Sequence, residues 1–171
     1  MINDGMNVVT RFYGEVIREG EKSSQVIFKY PFNTMRVSFD SNGIPFMGKF
    51  VCVTHINIYG TSRQNENNNS VFDKNSVLEF SVRISHKSND GSVVNAWEIE
   101  RFSITPYEGT KDIDDVPYYN LSRVTYVPKI ELDSKIYSGK YLVKVLLREK
   151  NEGEKISPWS LQSVSDLTIT D

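Results

Sequence analysis

Val77-Leu78-Glu79-Phe80-Ser81-Val82-Arg83-Ile84-Ser85-His86 decides the fold class of this chain. Leu78, Phe80, Val82 and Ile84 fall in one phase, and Glu79, Ser81, Arg83 and Ser85 in the other. Successive side chains point to opposite faces of a strand, so the stretch predicts a half-buried strand with one wet face. Asn89-Asp90-Gly91 follows, and these residue types tolerate positive φ. A new run begins at Val93, which predicts a hairpin partner. Trp97 and Ile99 share one phase of that run, and Phe102 and Ile104 the other. The slip at Glu100-Arg101 predicts a β-bulge.

The same period of two extends along the chain. Val8 to Ile17, Val26 to Phe32, Met35 to Phe39 and Phe50 to Tyr59 read as strands, punctuated by Asn33 and by Asp40 to Gly43. Val124, Tyr126, Ile130 and Leu132 alternate around Pro128, which cannot donate to a ladder and predicts an edge or a bulge. Tyr141, Val143, Val145 and Leu147 alternate while Leu142 and Leu146 fill the other face, which predicts a central strand. A weaker final strand carries Leu167 and Ile169. No window shows an apolar helical stripe.

Two long connections remain. Residues 61–75 are polar, and Pro106 to Asn120 mixes acids with tyrosines. The expectation is one domain over 1–171: N-terminal strands (1–60), a polar loop (61–75) and a C-terminal part (76–171). A chain of 171 residues buries enough surface to need no metal or disulfide staple.

Ser138-Gly139-Lys140-Tyr141-Leu142-Val143 resembles the start of the penultimate strand of an immunoglobulin-like sandwich. There a tyrosine two residues before a core position closes the turn onto upstream backbone. The resemblance covers about Ser76 to Asp171. It implies that Val143 stands where antibody domains carry cysteine, that Trp97 is the core tryptophan, and that Leu78 to Ile84 supplies the facing strand. The fold expected is therefore all-β: an antiparallel two-sheet β-sandwich, immunoglobulin-like, with extra N-terminal strands. Such a superfold supports an architecture and not an activity.

Composition narrows the chemistry. Net charge is -2 and acids interleave with bases, so no basic face for nucleic acid is expected. No apolar run is long enough for a membrane span or a secretory leader, so the expected location is cytoplasmic, with a virion component giving the same signature. Asn68-Asn69-Ser70 and Asn120-Leu121-Ser122 match the glycosylation sequon, but without a leader the match is idle. Cys52 is the single cysteine, so no intrachain disulfide forms. Cys52 and His55 are three apart and face opposite sides of a strand, which rules out a local nucleophile pair. Cys52 reads as an inert buried thiol, His55 as a partly buried structural residue and His86 as a rim residue. One cysteine and two separated histidines do not make a zinc site. Asp112, Asp114 and Asp115 offer acids but lack the glycine and terminal glutamate of the helix–loop–helix calcium motif. Phosphate loops and nucleophile elbows are missing. No metal and no cofactor are expected, and no enzymatic activity.

What remains is a surface for a partner. Tyr107, Tyr118 and Tyr119, with Asp112, Asp114 and Asp115 beside them, are rings and acids suited to a protein or sugar contact. Trp159, after Pro158, is either a lid on the core or an exposed binding residue. The function expected is a non-enzymatic interaction domain that presents loops or a sheet edge to a protein partner. The alternative is a structural subunit of a self-associating, repeating assembly such as a virion. A carbohydrate-binding module is the third reading.

Overall fold

The computed structural model describes residues 6–18, 26–59, 76–87, 92–105, 111–113, 116–150 and 156–171. Every regular element among the described residues is a strand, and they build three sheets. The first sheet has the order β2-β1-β6-β10-β9, with β1 at Met6–Arg18, β2 at Val26–Phe32, β6 at Phe50–Tyr59, β9 at Lys111–Ile113 and β10 at Val116–Val127. The second has the order β3-β13-β12-β7-β8, with β3 at Thr34–Arg36, β7 at Val77–Lys87, β8 at Val93–Ile104, β12 at Gly139–Lys150 and β13 at Ser160–Thr170. A small third sheet joins β4 (Ser38–Phe39), β5 (Pro45–Met47) and β11 (Ile130–Glu131).

The period-two residues meet in one core. Leu78, Phe80, Val82 and Ile84 of β7 are fully buried with Tyr141, Val143, Val145 and Leu147 of β12. Phe12, Phe50, Cys52, Ile56 and Ile58 of the first sheet belong to the same cluster, as does Met47 of the small one. Burying each such side chain contributes about 1.5–3 kcal/mol. Phe80 stacks on Phe102 with centroids 5.3 Å apart, and Phe12 meets Phe50 edge-on at 6.0 Å. The Asp40–Gly43 punctuation closes on itself: Asp40 Oδ1 accepts from the backbone N–H of Asn42 at 2.8 Å and of Ile44 at 2.9 Å. Gly43 supplies the positive φ this turn requires.

The expected bulge is present. The β7–β8 register shifts between Val82, opposite Glu100, and Arg83, opposite Glu98, so Ile99 is the extra residue. The Tyr141 hydroxyl donates to the Tyr137 carbonyl at 2.8 Å, closing the turn whose Gly139 sits at φ +126.

Other expectations change. Leu78 to Ile84 does not face the Tyr141 strand across the core; β7 is hydrogen-bonded beside β12 in the same sheet. Alternation reports which face a residue takes and is silent about its neighbour, which is why the two arrangements look alike in sequence. Trp97 is half-buried on β8, at that sheet's edge, with its ring 6.4 Å from Tyr141. Met35 to Phe39 divides, because β3 runs parallel to β13 while β4 turns into the small sheet. Pro128 follows the last residue of β10 rather than interrupting it. The final strand starts at Ser160, and its phase is masked by a bulge: Val145 opposes Ser163 and Leu146 opposes Leu161. The N-terminal strands are not an appendix, since β1 and β6 lie inside the first sheet.

Tyr141→Phe removes the turn-closing hydrogen bond while keeping the ring. The expected loss is ~1 kcal/mol, read as a lower urea midpoint with an unchanged slope.

Candidate functional site

Cys52 and His86 are buried, and His55 is half-buried. Cys52 is fully buried, and burial pushes its thiol up to about 12. The nucleophilic thiolate is therefore absent near neutrality. The Nδ1 of His55 lies 2.8 Å from Ser122 Oγ, and burial followed by the Arg11 charge lowers its pKa. His86 is not a rim residue: it is 4% exposed and stacks on Tyr141 at 4.2 Å. Its Nδ1 has no hydrogen-bond partner among the described residues. Burial lowers the His86 pKa, outweighing the Asp133 charge. No group of three or more metal-ligating side chains occurs among the described residues, and no described helix is long and apolar enough to cross a membrane.

The residues singled out by sequence are described only in part. Tyr107, Asp114 and Asp115 lie outside the described residues. Asp112 sits on β9 and Tyr118 on β10, where Asp112 pairs Pro117 and Tyr118 pairs both Lys111 and Tyr59. This part of the Pro106–Asn120 stretch is thus strand rather than loop. Tyr119 is half-buried against the core, opposite Ile58, and burial raises its hydroxyl pKa. Trp159 is not a lid on the core. It lies over the outer face of the second sheet, with the guanidinium carbons of Arg148, Arg83 and Arg101 at 4.4, 5.4 and 5.5 Å from its ring centroid.

Cross-strand register orders that face into rows. Val164, Lys144, Arg83 and Glu98 form one row across β13, β12, β7 and β8. Leu161, Leu146, Ser81 and Arg101 form the next, and Arg148, Glu79 and Ser103 continue beneath Trp159. Glu98 accepts two hydrogen bonds from Arg101, at 3.0 and 2.9 Å, and one from Ser81 at 2.6 Å. The Arg101 bonds hold its carboxyl below the usual range. Glu79 is buried, which raises its carboxyl, but hydrogen bonds from Arg148 and Lys150 outweigh this and keep it low.

A second feature was missed in the sequence. β6 pairs β1 only from Met6 to Tyr13, whereas β2 pairs β1 from Phe12 to Arg18. Beyond Tyr13 the two strands continue as a ribbon with no third strand among the described residues. Five residues, Gly14 to Arg18, extend it by roughly 16 Å at ~3.3 Å per residue. The ribbon carries apolar pairs at adjacent positions, Val16 opposite Phe28 and Ile17 opposite Ile27, so neither of its faces is wholly polar. Val26, Ile27 and Tyr30 are exposed, Tyr30 at 69%. Tyr30 adopts φ +58 and lies against Gly14, where a Cβ would stand 3.3 Å from the Tyr30 Cβ. At the root of the arm, where β1 leaves β6, a groove of about 470 Å³ opens between Gly14, Val16, Lys49, Phe50, Tyr126 and Val127.

No family model matches the chain, and no curated protein does. Among solved structures, the chain is similar to the CooA pilin subunit from enterotoxigenic Escherichia coli over 97% of each chain, at 9% identity and a TM-score of 0.33. A likeness at that score carries no argument about fold or assembly.

Two outcomes follow from the buried groups. Cys52 is expected to resist a thiol-specific disulfide reagent in the native state and to react stoichiometrically in denaturant. Both histidines are depressed in the folded state, so the unfolded chain binds more protons below its ordinary value of 6.5. Stability is therefore full above that value and falls as pH drops toward the folded pKa values. Urea midpoints at pH 7.5 and pH 5 are expected to show this loss, and His86→Phe, which keeps a ring on Tyr141, is expected to reduce the slope.

Proposed function

We propose that this chain is a non-catalytic structural subunit that joins copies of itself through the β1–β2 arm. One observation carries the reading: the arm is two strands wide and apolar at adjacent positions. A two-stranded ribbon is marginal in water without a sheet or helix to cover it. Among the described residues the outer edge of β2, from Val26 to Lys29, also has no strand beside it, a template for strand addition. The far half of that edge is guarded, since Pro31 lacks a donor and Tyr30 kinks the strand. Pairing is thereby confined to the arm's tip. A neighbour that lays a strand or apolar surface there gives the arm the third partner it lacks.

The architecture we propose behind this reading is an immunoglobulin-like sandwich built from the two large sheets, shifted by one strand from the sequence expectation. The orders β1-β6-β10-β9 and β13-β12-β7-β8 correspond to A-B-E-D and G-F-C-C′ of that superfold. In this assignment Tyr141 provides the tyrosine corner of strand F. Cys52 and Val143 occupy the places of the missing disulfide. The β2 ribbon is the addition, and additions to a common scaffold are where function concentrates.

The test is light scattering across a concentration series with the native chain and with Val26→Lys/Ile27→Lys. The native chain is expected to assemble with rising concentration, and the variant to remain a monomer with the same melting temperature. A native chain that stays monomeric into the millimolar range, or a variant that assembles equally well, contradicts the proposal.

A further inference from the structure

We infer that the outer face of the second sheet, around Trp159, is a docking surface for an acidic polypeptide segment bearing apolar side chains. This inference is independent of the arm. Its first support is a charge arrangement that works against the isolated fold. Lys144 stands directly opposite Arg83, and like charges opposite one another on a sheet are destabilising. Arg83 has Glu98 at 3.5 Å, but that carboxylate is already held more closely by Arg101 at 2.9 Å. Lys144 has no ion-pair partner among the described residues. Apart from the Lys140–Asp166 pair, the described part of this face sets Arg83, Arg101, Lys144, Arg148 and Lys150 against the carboxylates of Glu79 and Glu98. Lys140 and Asp166 on the same face cancel at 3.0 Å. The chain overall is -2, so this excess is local and opposite in sign to the molecule.

The second support is what lies beside the charge. Leu161 is 51% exposed and Val164 46% exposed, next to the half-buried Leu146 and Trp159. A tryptophan and arginines around an apolar strip are the residue types that dominate binding energy at protein interfaces. The guanidinium groups of Arg148, Arg83 and Arg101 already lie over the indole, which limits their freedom and lowers the entropy lost on contact. An incoming glutamate or aspartate would relieve the Lys144–Arg83 repulsion, and an adjacent apolar side chain would cover Leu161 and Val164.

The direct test is calorimetric titration of the whole chain with a short peptide alternating glutamate and leucine. Its lysine–leucine counterpart and an oligothymidylate serve as comparisons. The glutamate–leucine peptide is expected to bind, more weakly as salt rises, and the lysine–leucine peptide not to bind. Lys144→Glu/Leu161→Ser is expected to weaken binding at least about tenfold with a melting temperature that does not fall, since a glutamate in place of Lys144 would face Arg83 without repulsion. If that variant does not fold, Lys144→Gln alone is expected to weaken it. No binding of the acidic peptide, unchanged binding by the variants, or an oligothymidylate that binds as tightly overturns the proposal. The last outcome would show a general polyanion surface.

Discussion

Backbone pairing governs this molecule. Each buried peptide N–H and C=O needs a partner, and every regular described element is a strand, so ladders supply most of those partners. β6 and β12 come nearest to solving the problem: each is flanked on both sides along most of its length and carries fully buried residues of the core. Their neighbours solve it in part. β1 changes partner at Phe12 and Tyr13, trading β6 for β2, and that change produces both the arm and the groove at its root. At the opposite corner, Glu100 on β8 accepts from Arg123 and Thr125 on β10, so side chains tie the two sheets where no ladder does.

The energetic weight lies in the core, and functional potential lies where pairing ends. The Tyr141–Tyr137 hydrogen bond and the buried His86 ring stiffen one end of the second sheet, and the Phe80–Phe102 stack stiffens it further along β7. Against that rigid layer, surface rows such as Val164-Lys144-Arg83-Glu98 are held at fixed spacing. Such a platform can present charge with little loss of entropy on contact, whereas the arm gains order only when something covers it.

Much of this was legible in the sequence because period two is a local signal. The bounds of β2 and β6, Val26–Phe32 and Phe50–Tyr59, match the pattern, and the Glu100 phase slip marks a real bulge. Sheet neighbours were not legible, because pairing joins residues as distant as Thr34 and Thr168. The same limit hid the site. Arg83 read as an ordinary wet-face residue and Lys144 lay on a strand read as apolar on both faces, and only the β7–β12 register sets them side by side. Trp159 was visible as a candidate, but its arginine neighbours come from three other strands. Val26 and Ile27 read as a strand, with nothing local to say that β6 stops short of them. His86 was misplaced because a polar residue at the end of an apolar face looks like a rim until Tyr141 is stacked on it.

The account's central claim is that the arm is the element through which copies associate. Hydrogen exchange of its backbone amides at several protein concentrations tests this most directly. Protection of Glu15 to Arg18 and Val26 to Lys29 is expected to rise with concentration while exchange in β7 and β12 stays constant. Arm amides that exchange at one rate across the whole range would contradict it.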